Sequence, residues 1–342
     1  MHTRGARARA PPDLDEVAVN RTYVLRRGVQ AVGTLLVIVT VLFFLFRLGL
    51  PDPTAALVTE GLSPEDRAAV RERFGLDRPL LEQYVIYLGN VVRGEFGTSF
   101  YYKAPVASLV WEKFANTMVL MLVAIAIAYA LGIPLGAYLA WRRGTRTDTL
   151  GIVLGLMFRS APMFWTGMLA VLLFGVVLGW LPTSGMRTLP YEATGFFDKI
   201  FTLDFLRHLI MPATIIALFY LGSPLLIMRN TMLEVYGEDF IEMARAKGLR
   251  ERDILYRHAA RNALLPVMTQ LAVTIGLAAG GQVVVEVVFS WPGLGREILQ
   301  AVRTSDFPLA QATFVLMAAL VIGMNFLADM LYGALDPRVK LR

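Results

Sequence analysis

The sequence has 342 residues, of which 56% are hydrophobic and 18% are charged, and its formal net charge is +6 at pH 7. This composition is too apolar for an ordinary water-soluble domain. Because the chain has no cysteine, disulfides, thiolate catalysis, thiolate metal ligands and lipid-modified cysteine anchors are excluded.

Six apolar stretches are long enough to cross a bilayer, which takes about 20 residues per helix. They lie near 29–50, 115–140, 150–180, 206–228, 264–289 and 308–332. We therefore predict an all-α, polytopic membrane protein with a first span at 29–50 and a core membrane domain at 115–335. The third stretch is long enough to tilt, or to break near Pro162.

The N-terminal segment 1–28 is basic and precedes the first apolar stretch. A cleaved signal peptide is the alternative, but the stretch has full span length and no small-residue cleavage site follows it. With six spans, the side holding both termini carries 19 Lys and Arg residues, and the other side carries 11. The positive-inside rule then places both termini, the tail 336–342 and the loop 229–263 in the cytoplasm. This topology accounts for the basic charge without nucleic acid.

The segment 51–114 is predicted to be extracytoplasmic and helical. Ser63-Pro64 begins one helix that ends near Arg73, since Ser caps well and Pro suits the first helical position. A second helix begins near Pro79. The segment has too few apolar residues for its own core, so it is either a plain connector or a contact surface for an external protein.

Catalytic and metal-binding motifs were not found in the sequence. None of the five lysines follows a glycine, so a Walker A phosphate loop is absent. The three histidines, His2, His208 and His258, lack the spacing of metal ligands. We therefore predict no catalytic residues, no metal site and no cofactor in this chain.

Charged residues inside membrane spans are functional candidates by default. Four of them, Arg47, Arg207, Glu286 and Asp329, lie toward predicted span ends, where side chains can reach water or pair. Arg159 lies deeper and precedes Ser-Ala-Pro, which can break a helix. It either lines a path through the membrane or has a structural pairing role.

The loop 229–263 is too polar for the bilayer and predicts a helical hairpin. Its first helix covers 234–246, with an apolar stripe formed by Phe240, Ile241, Met243 and Ala244. Gly248 ends it, because glycine adopts the left-handed conformation readily. Ala244 and Ala246 are small enough for another surface to approach closely. A second helix covers 251–262, with Ile254, Leu255, Ala259 and Leu264 or Leu265 facing inward, and Pro266 begins the fifth span. The simplest alternative is an amphipathic hairpin lying on the membrane surface.

The residues Glu242-Met-Ala-Arg-Ala-Lys-Gly248, followed by Asn262-Ala-Leu-Leu-Pro266, resemble the EAA loop of binding-protein-dependent ABC permeases. Met243 replaces the usual alanine at the second position. Further segments resemble the dipeptide/oligopeptide permease family: Phe74-Gly-Leu-Asp-Arg-Pro79, Gly94-Glu-Phe-Gly-Thr-Ser-Phe100, Phe289-Ser-Trp-Pro-Gly-Leu-Gly295, Asp306-Phe-Pro308 and Asp329-Met-Leu-Tyr-Gly-Ala-Leu-Asp-Pro-Arg338.

The resemblance implies the type I ABC importer permease fold and a prokaryotic cell-membrane location. It also implies a peptide path shared with a second permease, two ATPase subunits that hold ATP and Mg²⁺, and an external solute-binding protein. The residues expected to contact the ATPase are Phe240, Glu242, Ala244, Ala246, Lys247, Gly248 and Pro266. Nickel chelates and oligosaccharides are alternative substrates within the family. A secondary transporter is the alternative from another class, and it would need an ion relay within its spans.

Overall fold

The computed structural model describes residues 21–48, 77–190, 200, 202–278 and 280–335. The predicted helix between Ser63 and Arg73, the first 20 residues of the basic segment and the tail 336–342 lie outside these ranges. Within them the regular elements are helices, with one isolated antiparallel bridge between Thr98 and Pro105, which confirms the all-α prediction.

The helices are numbered here in chain order. They are α1 (Arg21–Leu48), α2 (Leu80–Arg93), α3 (Val106–Trp141), α4 (Arg146–Ser160), α5 (Met163–Ala170), α6 (Leu203–Val235), α7 (Asp239–Ala246), α8 (Glu251–Asp253), α9 (Ala260–Ala278), α10 (Val283–Val288), α11 (Leu294–Arg303) and α12 (Phe307–Leu335). Two π-helical segments, Val171–Val177 after α5 and Ile254–Ala259 before α9, continue neighbouring helices.

Four of the described helices are long and apolar enough to cross a membrane by themselves. They are Tyr23–Leu48, Val106–Trp141, Leu203–Val235 and Phe307–Leu327. A fifth candidate is the pair Arg146–Ser160 and Met163–Val177, which is bent by 97°. The bend falls at Ala161-Pro162, where the sequence predicted a break, because proline disfavours the helical conformation in the residue before it.

Two predicted boundaries differ from the observed helix bounds. The stretch 264–289 is not one helix: α9 ends at Ala278, and the chain turns through Gly280 and Gly281 before the short α10. Gly281 has φ +70°, a backbone conformation that costs glycine little. The boundary at 114/115 falls inside α3, which begins at Val106.

The centre of the fold is the pair α3 and α6, which make the most extensive helix contact in the described chain. Glycines allow this approach: a Cβ on Gly136 would lie 2.9 Å from Cβ of Met228, and one on Gly132 would lie 2.8 Å from Cγ of Pro224. Small residues at contacts of this kind are typical of helices packed inside membranes. The pair forms the core against which the functional elements are placed.

A second apolar cluster joins the outer helices. It contains Val39 and Phe46 of α1, Leu294 of α11 and Leu309 of α12. Helix α1 packs along α12 and touches α2, where the hydroxyls of Thr40 and Tyr84 are 2.6 Å apart. The first span is therefore attached to the side of the core through α12.

Two segments of the family resemblance meet in space beside this cluster. Asp306 is completely buried and accepts hydrogen bonds from the hydroxyl of Ser99 and from the backbone N–H of Tyr101, the latter at 3.1 Å. It also caps the start of α12 by accepting from the N–H of Leu309 at 3.3 Å. One carboxylate thus fixes the loop before α3 to the start of α12.

Candidate functional site

The hydrophilic segment between α6 and α9 forms a hairpin, residues 236–262, called the coupling hairpin below. Helix α7 ends at Ala246, and Gly248 follows with φ +76°. The N–H groups of Lys247 and Gly248 donate to the carbonyls of Met243 and Arg245 at 3.0 and 2.9 Å. Gly248 thus takes the left-handed conformation that favours glycine beyond a helix end, where a residue with a Cβ costs roughly 1–2 kcal/mol.

The inner face of the hairpin is apolar and packed against the central core. Ile241 and Ala244 of α7 are buried, and so are Ile254, Leu255 and Ala259 on the returning chain. The predicted inward positions on the second arm are therefore observed, and Leu264, not Leu265, completes them. Ala244 was expected to face a partner. It instead packs inside this chain, because it lies three residues after Ile241 on the same side of α7.

The outer face of the hairpin is exposed and mixes apolar with charged groups. Phe240 is 40% exposed and Met243 is 58% exposed, so two members of the predicted stripe point outward. Glu242, Ala246 and Lys247 are also exposed. The outer face therefore presents an exposed apolar pair flanked by charged side chains.

The returning arm of the hairpin leads into α9 without a break. The turn Glu251–Asp253, the π-helical segment Ile254–Ala259 and α9 follow in direct succession. Pro266 was predicted to begin a new helix, but it lies inside α9. Proline is tolerated within membrane helices because neighbouring groups satisfy the backbone polar groups it frees. The returning arm and α9 therefore form one continuous helical path.

A buried ion pair that no sequence pattern predicted ties the base of the hairpin to α4. Arg229, near the end of α6, donates from Nε and Nη2 to the two carboxylate oxygens of Asp148 at 2.7 and 2.8 Å. Only 15% of the Arg229 side chain and 5% of the Asp148 side chain are exposed. Asp148 also accepts from the N–H of Gly144 at 3.0 Å, so it fixes the 142–145 turn as well.

Arg159 lies at the end of α4, beside Gly222 of α6, and its side chain is exposed. Among the described residues it has no ion pair with an acidic side chain. The pairing role considered for it is therefore not observed in the described chain. A path-lining role remains a proposal.

The four other charged residues in the predicted spans differ in their partners and in their burial. Asp329 pairs with Arg27 at 3.3 Å, Arg207 donates to the carbonyl of Trp180 at 3.3 Å, and the Arg47 guanidinium lies 5.7 Å from the centre of the Phe43 ring. These three fit the expectation for span ends. Glu286 does not, because it is completely buried.

Glu286 is held in a cage of neutral hydrogen-bond donors. It accepts from the hydroxyl of Thr117 at 2.7 Å and from the backbone N–H of Arg296 at 2.9 Å. A Cβ on Gly293 would lie closer than 3 Å to the carboxyl group, so the turn between α10 and α11 requires glycine there. An alcohol and backbone amides form a structural clamp on this turn. They are not the chain of ionisable groups that a proton relay would need.

Two family patterns match the chain and together cover most of it. The pattern described as "Binding-protein-dependent transport system inner membrane component" matches residues 132–341, which include the coupling hairpin. Its N-terminal companion, "Binding-prot-dependent transport system membrane comp, N-term", matches residues 21–121. The chain belongs to this permease family. It is accordingly a multi-pass membrane permease of binding-protein-dependent transport.

Curated relatives of the permease are similar over nearly their whole length. The oligopeptide transport system permease protein AppB of Bacillus subtilis is 37% identical over 322 residues, covering 93% of this chain and 99% of that protein. The di/tripeptide transport system permease protein DppB of Pseudomonas aeruginosa is 36% identical over 331 residues, with 93% and 98% coverage. A putative peptide transport system permease of Brucella abortus is 38% identical over 317 residues, with 93% and 98% coverage.

One solved structure supports the architecture of the permease. An inward-facing form of the MetNI methionine ABC transporter matches with a TM-score of 0.50 over 67% of this chain and 96% of that chain. Sequence identity is 17%, so the match concerns the fold alone. It confirms the predicted type I importer permease fold.

Proposed function

We propose that this permease forms half of a translocation path for di- or oligopeptides and that the coupling hairpin receives the motion of separate ATPase subunits. The observation that carries the second part is the exposed outer face around Phe240, Glu242 and Met243, on a hairpin continuous with α9. The peptide substrate is supported by the names of the relatives. In this proposal a second, paralogous permease completes the path and an external solute-binding protein delivers the substrate.

The proposed coupling is a shift between two arrangements of the membrane helices. Closure of the ATPases around ATP and Mg²⁺ pulls on the hairpin, and α9 carries the displacement into the core. Such a shift requires that the ATPases bind one arrangement more tightly than the other. The Arg229–Asp148 pair extends the moving unit to the bent pair α4 and α5. Arg159, at that bend, is the side chain we assign to the path.

Catalytic activity is proposed to reside entirely on the partner subunits. We expect the purified permease alone to hydrolyse no ATP, because its sequence contains no phosphate-binding loop. Co-expression with the ATPases, the second permease and the binding protein should give ATP hydrolysis and peptide uptake in proteoliposomes. A radiolabelled dipeptide and a nickel chelate measured side by side separate the two substrate classes. ATP turnover by the rigorously purified single chain would contradict the proposal.

We propose that the coupling hairpin is cytoplasmic and that the loop before α3 is external. A cysteine replacing the exposed Lys247 should then be shielded from an impermeant maleimide in intact cells, and one replacing Glu95 should react. The chain has no native cysteine, so unlabelled parent protein gives a clean background. Permeabilised cells, in which both positions should react, serve as the control. Reaction of Lys247→Cys from outside would reverse the orientation.

A further inference from the structure

A polar pocket of about 260 Å³ lies at the end of the molecule opposite the coupling hairpin. It is formed by the loop before α3, the first turns of α3 and one side of α11. Its wall residue Lys113 lies 28 residues before Trp141 on α3, about 42 Å away along the helix axis at 1.5 Å per residue. This distance is close to the thickness of a whole bilayer. Because the hairpin is proposed to be cytoplasmic, the pocket at the other end of α3 then lies on the external surface.

The inner wall of the pocket contains a carboxylate with an unfilled hydrogen-bonding position. Glu297 is only 5% exposed. Its Oε2 accepts from the hydroxyl of Tyr102 at 3.4 Å and lies 3.9 Å from Nζ of Lys113. Its Oε1 is buried and has no hydrogen-bond partner among the described residues. A buried acceptor without a partner is destabilising, so a donor that reaches the Glu297 carboxyl group is favoured.

Cationic and aromatic groups surround this carboxylate. Lys113 and Arg296 both line the pocket. Arg296 donates from Nη1 to the carbonyl of Ser290 at 2.6 Å, and its guanidinium has further N–H donors at the surface. Tyr101 and Tyr102 form an edge-to-face pair with ring centres 4.9 Å apart. Burial raises the pKa of the Glu297 carboxyl, and Lys113 opposes that rise. The pocket therefore offers an acceptor, two cations and a flat apolar wall.

We propose that this pocket is an entry subsite for a small zwitterionic ligand of the dipeptide class, with its ammonium at the Glu297 carboxyl group and its carboxylate toward Lys113 and Arg296. The volume is just below the roughly 300–1,000 Å³ typical of small-molecule sites, which suits one or two amino-acid residues and not a long peptide. The tyrosine pair provides a surface for one side chain. This inference rests on the proposed peptide function.

The test is direct binding of alanyl-phenylalanine to the assembled transporter in nanodiscs, without the solute-binding protein, measured by calorimetry. N-acetylation of the dipeptide removes the ammonium and should weaken binding to the wild type by roughly tenfold or more, the loss expected for one charge-assisted hydrogen bond. The substitution Glu297→Gln should weaken binding of the free dipeptide by a similar factor. The variant transporter should then bind the free and the acetylated dipeptide about equally. Glu95→Gln makes the same change on the same loop outside the pocket and should behave as wild type.

The ligand comparison on the wild type does not depend on any variant folding. Equal binding of the free and acetylated dipeptides, or wild-type discrimination by Glu297→Gln, overturns the pocket assignment. The assignment is also overturned if Glu297→Gln weakens only the association of the solute-binding protein, since the pocket is then a docking site for that protein. Peptide uptake by wild-type proteoliposomes is measured in parallel. Uptake without the expected binding pattern overturns the pocket assignment alone, and absence of uptake contradicts the proposed function.

Discussion

Glu242→Ala is expected to abolish peptide uptake while the permease still inserts into the membrane. Glu242 is exposed on the outer face of the coupling hairpin, so its carboxylate is free to meet a basic group of an ATPase. Removing one partner from a desolvated interfacial charge pair costs about 2–5 kcal/mol. At about 1.4 kcal/mol per tenfold change, association with the ATPase should weaken by a factor of about 30 or more. Uptake in proteoliposomes and co-purification of the ATPases measure the two effects.

Two matched comparisons make this result specific to the outer face. Glu234→Ala removes an exposed carboxylate from the end of α6, outside the hairpin motif, and should leave uptake unchanged. Ala246→Trp adds bulk to an exposed position and should block uptake without loss of thermal stability. Ala244→Trp should destabilise the chain itself by about 1–3 kcal/mol, because Ala244 is buried in its own core. Wild-type uptake by both Glu242→Ala and Ala246→Trp would rule out this face as the coupling surface.

Asp148→Ala is expected to destabilise the permease by about 3–5 kcal/mol, because it leaves the Arg229 charge buried and unpaired. The loss should appear as a lower melting temperature in detergent and as reduced uptake, since the pair holds the hairpin base against α4. Charge exchange, with Arg at 148 and Asp at 229, should recover part of the stability by restoring opposite charges.

An exposed ion pair on the coupling hairpin is the internal control for this effect. Arg245 and Glu251 are 3.0 Å apart, but their side chains are 46% and 54% exposed. Glu251→Ala should therefore cost only about 0–1 kcal/mol, since water screens such pairs. Equal melting temperatures for Asp148→Ala and Glu251→Ala would show that burial of the Arg229–Asp148 pair contributes no stability.

Predictions from sequence were confirmed where a short local pattern determines the backbone conformation. The glycine stop at Gly248 and the break near Pro162 both depend on the conformational preference of single residues, and both are observed. The inward positions Ile254, Leu255 and Ala259 follow from helical periodicity, which one segment alone displays. The failures at Pro266 and at 264–289 arose because apolar composition does not determine where a membrane helix starts and stops.

By itself the sequence determined the all-helical membrane class, the hairpin between two apolar stretches and the family, because these depend on composition, periodicity and motif order. Only the tertiary structure decided which side of α7 is exposed and which side is buried. It also decided that Asp148 meets Arg229, that Thr117 meets Glu286 and that Tyr102 and Lys113 meet Glu297. The members of each pair lie far apart in the chain, and no local pattern links them. Their contact follows from how α3, α4, α6, α10 and α11 pack, and burial then makes each pairing energetically important.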